Sequence, residues 1–481
     1  MLNHTVYHSV FVFFACSLCF ACSANKMDTT SPETQDSISV DAISEKTPNA
    51  PISIPHQTEK PILPSNSEVP PPLSPTASTT TCRDFWTKPN PIPKEKQRPF
   101  IITYETYKKN VEIIIDVYTK ETLNSVVMEA DIEYDCDMDG IYEETYQSKY
   151  SGHIICSFKK PGKHQIAMRG DIPILILDAF DDYTYPDYNL FSIDQWGDIR
   201  WKILYGPLSA TGKYSPITKG PHYPVLKAKD IPNLRDTCDI SGLFEGNIPF
   251  NEDIRAWDVS HVENMHALFF GCTSFNQDIS QWNVSRVMNM RGMLQGATTF
   301  NQNIGNWDVA NVRNMGRMFE EATSFNQDIG AWNVSSVEFM YGMFQGATSF
   351  NQDISQWDVA KVNDMSTMFK DATSFNQDIS QWNVAKVEDM NAMFENATSF
   401  NQDISQWNVS KVRDMCAMFK DATSFDQDIS RWDISSIRFI NQMFTSTKEK
   451  NKIICPKCEV FRQKVLQKNE TLPKEDKLEF D

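Results

Sequence analysis

Eight tryptophans, Trp257, Trp282, Trp307, Trp332, Trp357, Trp382, Trp407 and Trp432, follow one another at steps of 25 residues. Phenylalanine keeps the same step from Phe250 through Phe275 and onward to Phe425. Nothing else in the chain limits its fold so tightly. A fixed period means one supersecondary unit built many times, and a unit with a single apolar stripe must bury it against its neighbours. Ile240, Leu243 and Phe244 stand one step before Met265, Leu268 and Phe269, so a partial unit precedes the eight as a cap would.

Within the unit that begins at Ile354, the residues Ile354, Trp357 and Val359 have the L-x-x-L-x-L spacing of a one-sided strand. Val362, Met365, Met368 and Phe369 follow at helical spacing, so this stretch reads as a short helix. Ser260, Ser285, Ser335 and Ser410 stand where its N-cap would fall. Strands stack at about 4.8 Å and helices at roughly 8–10 Å, so such units would bend with the strands inside. The expected fold class is therefore mixed α and β: a leucine-rich-repeat-like curved solenoid, one strand and one short helix per coil. The Trp column is read as core, with an exposed aromatic platform for sugars as the rival. The concave face would then display Gln281, Asn283, Gln356, Asp358, Gln381, Asn383, Gln406 and Asn408.

The remaining segments divide by composition. Residues 1–22 carry a short apolar run, Val10 to Ala21, and read as a signal peptide. Its end, "CFAC", resembles a lipoprotein signal with Cys22 as the lipidated residue; ordinary secretion or a retained anchor are the alternatives. Residues 23–81 hold 10 Pro and 19 Ser or Thr, a composition for a disordered tether. Residues 82–224 change to period two with a Pro161-Gly162 turn, which predicts a small antiparallel β-sandwich and a lead-in; its layout resembles the PKD-like or immunoglobulin-like modules of surface proteins. Residues 225–249 are assigned to the cap, 250–445 to eight repeats, and 446–481 to a charged C-terminal cap or tail.

The phrase "WDVSxVxxMxxMFxxATSFNQDI" resembles the 25-residue repeat of BspA-type leucine-rich-repeat surface proteins. "LFSIDQWGDIRW", Leu190 to Trp201, looks like the lead-in between a PKD-like module and such repeats. The resemblance covers roughly residues 100–445. It implies a surface-exposed or secreted protein that binds other proteins, in adhesion to host matrix or to other cells. The Asn of the long leucine-rich-repeat motif is replaced here by Val362 and its equivalents.

Candidate chemistry is sparse. A net charge of −18 argues against sequence-independent nucleic-acid binding and against docking on anionic lipid through a basic patch. Asp135, Asp137 and Asp139 resemble the start of a calcium loop, but Tyr146 stands where an EF-hand needs Glu; a polar hairpin turn is the other reading. The column Asp278, Asp328, Asp353, Asp378, Asp403 and Asp428 reads as turn chemistry rather than a calcium ladder. Cys455 and Cys458 form a CxxC pair open to a redox role, half a zinc site, or a local disulfide in a cap. Cys136 with Cys156 is a plausible bridge between neighbouring strands, and Cys272 and Cys416 read as free. Asn283, Asn333 and Asn408 match a glycosylation sequon only because the repeat does. The expectation is a non-enzymatic, adhesin-like protein without cofactor, at a bacterial cell surface or outer membrane as a lipoprotein, or secreted. Its partner would be an extracellular or host protein, with a glycan as the alternative, and its membrane contact a lipid anchor alone.

Overall fold

The computed structural model describes residues 91–118, 130–142, 144–148, 152–172, 174–176, 188–199, 201, 225–246, 249–445, 455–471 and 478. The expected signal segment with Cys22 and the tether 23–81 lie outside them.

Alternating runs build the N-terminal module. In β2 (Val111–Tyr118), Val111, Ile113, Ile115 and Val117 are buried while Glu112 and Ile114 face out. β5 (Gly152–Phe158) buries Ile154 and Cys156 in the same manner. These two strands and β7 (Ile174–Ile176) form a three-stranded antiparallel sheet in the order β5-β2-β7. A six-stranded sheet has the order β4-β3-β6-β1-β8-β9, with β1 (Phe100–Thr106), β3 (Ala130–Asp135), β4 (Glu144–Ser148), β6 (Gly162–Asp171), β8 (Tyr188–Gln195) and β9 (Val225–Leu226). Inward residues of both sheets share one buried cluster. The Cys136–Cys156 disulfide follows β3 and lies on β5, so it joins the two sheets rather than neighbouring strands of one. β9 pairs in parallel with β8, which carries the module past residue 224, where the sequence boundary had been drawn.

The lead-in after β8 forms the seam with the repeats. Trp196 and Trp201 are fully buried, and the Trp196 ring meets Trp257 edge-on at 5.5 Å. Thr237 Oγ1 donates to the Trp201 carbonyl at 2.5 Å, and the Asp230 carboxylate accepts the N–H groups of Trp196 and Gly197 at 2.9 Å each. Gly197 has a positive φ of 67°, and a Cβ there would stand 2.4 Å from the Pro99 carbonyl oxygen, so only glycine fits.

In the repeats the structure departs from the expected strand and helix. The segment Ile354–Val359 is not a strand: the Trp357 N–H bonds back to Ile354 and that of Val362 to Val359, so two tight turns follow one another. Nor is Val362–Phe369 a helix. Thr367 and Asp371 have φ values of 53° and 57°, and the same two positions are left-handed in sister units, often as glycine (Gly292, Gly296, Gly342, Gly346). A left-handed residue every four positions cannot sit in an α-helix; it is what the third residue of a type II turn requires. The turns close through Met368 N–H to Met365 and Ala372 N–H to Phe369. Alternate amides leave the unit instead: Met365, Thr367, Phe369 and Asp371 donate to the carbonyls of Asp389, Asn391, Met393 and Glu395, at 2.7–3.0 Å. Parallel bridges accordingly join Asp239, Asn264, Asn289, Asn314, Phe339, Asp364, Asp389, Asp414 and Phe439 in succession. The inter-unit ladder thus runs through the stretch read as helical.

The chain after the repeats returns to them. Cys455 and Cys458 are disulfide-bonded, and α1 (Glu459–Thr471) sets Phe461 edge-on against Trp432 and Phe444.

Candidate interaction face

Each unit first satisfies its own interior. Ile354, Val362, Met365, Met368, Phe369, Ala372 and Phe375 are fully buried, and Trp357 is 3% exposed. The indole N–H of Trp357 donates to the Ile329 carbonyl of the preceding unit at 3.1 Å, and every column member from Trp282 to Trp432 repeats that bond. Trp257, first in the column, meets Trp196 instead. With rings 1–6% exposed, no member of this column offers a face to a sugar.

A second inter-unit ladder was not foreseen. The Asn351 side-chain oxygen accepts the backbone N–H of Asn376 at 2.9 Å and the Gln377 amide at 3.0 Å. The column Asn251, Asn276, Asn301, Asn326, Asn351, Asn376 and Asn401 does this at every step, ending on the Asp426 N–H. Its signal in the sequence was the Gln that recurs in seven of the eight units, Gln277 to Gln427, which turn chemistry alone does not demand.

The eight sequence-predicted face residues are all exposed. They fall into two kinds. Asn283, Asp358, Asn383 and Asn408 accept the N–H two residues ahead, from Ser285, Ala360, Ala385 and Ser410, at 3.1–3.2 Å. These are Asx turns. The serines expected to cap helices are thus held through their own amides, and Asn283, Asn333 and Asn408 of the sequons are all engaged this way. Gln281, Gln356, Gln381 and Gln406 have a single bond each, to the hydroxyl of the preceding serine. Their remaining amide capacity faces solvent, at one-coil steps from Gln356 to Gln406, with Gln281 three coils before.

The regular aspartates have a similar job. Asp278, Asp353, Asp403 and Asp428 accept the N–H of the serine two residues on, and the amide and hydroxyl of that serine hold each carboxyl below its ordinary range. In the β module, Asp135, Asp137 and Asp139 bring one oxygen each within 4.8 Å of the others. However, the buried Asp135 carboxylate accepts three backbone amides, from Asp137, Met138 and Gly140, which makes it the anchor of a tight turn. Cys272 and Cys416 are buried thiols, Cys272 Sγ donating to the Phe244 carbonyl at 2.9 Å and Cys416 Sγ to Asn441 Oδ1.

The positions around the parallel bridges differ in kind from the uniform columns. Asn264, Asn289, Asn314, Phe339, Asp364, Asp389, Asp414 and Phe439 share one register, and His266, Arg291, Gly316, Tyr341, Ser366, Asn391, Cys416 and Asn441 the next outward one. They lie in the stretch that the spacing reads as a short helix, and their unit-to-unit variability was the available signal.

A family model described as "Mycoplasma protein of unknown function, DUF285" matches residues 229–328, 297–398 and 338–457, the span of the repeats. No curated protein and no solved structure matches the chain.

Proposed function

We propose that this chain is a non-enzymatic interaction protein of the BspA-type, leucine-rich-repeat-like class, displayed on a bacterial surface through a lipid on Cys22 or secreted. Its array meets a partner protein through the uniform polar columns. The observation that carries the reading is a set of glutamines: Gln356, Gln381 and Gln406 in successive units, with Gln281 three units earlier, are exposed and make no inter-unit bond that the stack would need. The stack's own demands are met by the Trp and Asn ladders. Primary amides offer both donors and an acceptor to the backbone of a partner segment. The buried indoles favour a protein over a glycan as the partner, because sugar recognition draws on open aromatic faces.

The test is a binding screen of the whole chain against host matrix proteins and glycans, followed by Gln356→Ala/Gln381→Ala/Gln406→Ala on whatever binds. Binding should fall about tenfold or more while the melting temperature stays within a degree or two of the parent's. Unchanged affinity would remove the glutamine column from the interface. Mass spectrometry of the mature N-terminus decides between an acylated Cys22 and simple secretion.

A further inference from the structure

The bridge register carries one pattern that does not repeat. Two units place cations beside it, Arg291 two residues after Asn289 in one, Arg313 and Arg317 on either side of Asn314 in the next. The following unit is aromatic, with Phe339 and Tyr341. The next two carry Asp364 and Asp389, and Asp414 continues the line. Tyr341 sits at the junction. Arg291 and Arg317 lie 5.8 and 6.0 Å from its ring, and Asp364 is among the charges that act on its hydroxyl. Gly316, one unit before, leaves the space the ring needs: a Cβ there would stand 2.5 Å from Tyr341 Cζ. The aromatic residues are half-buried, not sealed.

Several charges of the array are paired within it, Arg317 with Glu320 at 3.5 Å among them. Glu395 holds both Lys370 and Lys420, at 2.7 and 2.9 Å, and Arg413 meets Glu388 at 3.0 Å. Among the described residues Asp364, Asp389 and Asp414 form no ion pair, and Arg291 and Arg313 form none either. Each aspartate keeps one oxygen on the amide two residues ahead, from Ser366, Asn391 and Cys416, and the other is uncommitted. The three carboxylates follow one another along the bridge column, so each faces like charge above or below.

We infer that this strip is a self-complementary interface, on which a second copy of the chain docks face to face and antiparallel. A two-fold axis lying in the interface at the Phe339 and Tyr341 unit reverses the stack. It then sets the unit of Arg313 and Arg317 against the unit of Asp364, and that of Arg291 against that of Asp389. The same exchange happens on the other side of the axis, as an isologous contact requires. The two aromatic units meet at the centre, where interface anchors concentrate. An acidic peptide would answer only the arginine half of the strip and a basic one only the aspartate half. A second copy answers both.

Five coils at about 4.8 Å by a strip of roughly 20 Å give on the order of 500 Å² per partner, below the stable-dimer class, so the association is reversible and salt-sensitive. Sedimentation velocity of the whole chain at low salt should show a concentration-dependent monomer–dimer equilibrium that recedes at high salt. Arg291→Glu/Arg317→Glu and Asp364→Lys/Asp389→Lys should each weaken self-association at least about tenfold, and an equimolar mixture of the two should recover a dimer. Asp364→Asn/Asp389→Asn keeps the backbone acceptors and should weaken the dimer and flatten its salt dependence. A chain that stays monomeric at low salt, or dimers indifferent to the asparagine variant, would overturn the inference. So would a mixture that fails to recover although both charge-reversed variants melt like the parent.

Discussion

Trp357 shows how one side chain serves two units. Its ring fills the interior and its N–H satisfies Ile329 across the coil boundary. Trp357→Ala should cost about 3–5 kcal/mol, since it opens a cavity and removes an inter-unit bond, leaving the Ile329 carbonyl only the Trp332 N–H. The neighbouring Asp358→Ala removes one exposed Asx bond and should cost about 1 kcal/mol or less. Urea titrations of the two variants should separate them plainly, and equal small losses would mean the indole is not core. Asp389 tests electrostatics at the same scale. Burial pushes its carboxyl up to about 6 from 3.8, with the charges of Asp364 and Asp414 adding to the rise and the Asn391 amide opposing it. A folded-state value above the unfolded one means the folded chain binds the extra proton. Stability from this group is therefore full below about pH 4 and is lost as the pH rises toward 6. Asn289 and Asn314 already perform the same backbone bond elsewhere in the column or stand in its register. Asp389→Asn should consequently raise the melting temperature at pH 7, by an amount equivalent to about 2–3 kcal/mol at most, and bring no gain below pH 4. A pH series of melts on both proteins reads the difference directly.

The coil is held by two ladders, and they differ in what the sequence reveals. The apolar ladder was legible from Ile354, Trp357, Val362, Met365 and Phe369, because burial imposes a spacing that composition displays. The local backbone was not. Met365, Met368 and Phe369 at helical spacing point to one interior, but turns with Thr367 and Asp371 left-handed reach that interior equally well. Glycine at the same positions in sister units, Gly342 and Gly346, was the clue that the apolar period concealed. The sandwich was readable from alternation in β2 and β5, whereas the placement of Cys136 and Cys156 across two sheets needed the strand order. Of the candidate face, exposure was foreseen, but the division into Asx-turn residues and free glutamines depends on hydrogen bonds that spacing does not encode. The polar ladder makes its own prediction. Asn351→Ala leaves the Asn376 N–H without its acceptor and the Gln377 amide with only the Asn351 carbonyl, and should cost about 1–3 kcal/mol. Hydrogen exchange should locate the loss at the 350–376 boundary, with Asn351→Asp, which keeps the acceptor as Asp426 does, exchanging like the parent.

At the scale of the molecule, a stack of coils has two open ends, and each presents the ladder's unpaired groups to any passing chain. The N-terminal end is closed by the β module through Trp196, Trp201 and Asp230. The C-terminal end is closed by substitution. Lys457 brings its backbone N–H to Asp426 Oδ1 at 2.9 Å, the bond that the next asparagine of the column would have supplied. α1 then aims two ammonium groups at carbonyls of the last coil. Lys464 Nζ donates to Trp432 at 2.6 Å and to Ser430 at 3.3 Å, and Lys468 Nζ to Ile434, Ser435 and Ile437 at 2.7–3.2 Å. Charged donors to carbonyls are among the stronger hydrogen bonds, roughly 1.5–3 kcal/mol each. Lys464→Met/Lys468→Met keeps the apolar stems and removes only the donors. Hydrogen exchange across residues 425–445 should then quicken about tenfold or more, while residues 300–400 exchange as before, because contacts in a stack reach only nearest neighbours. If the whole array quickens together, the coils unfold as one cooperative body and the cap guards all of it; if nothing changes, the lysines are ornaments on an end that Phe461 alone has sealed.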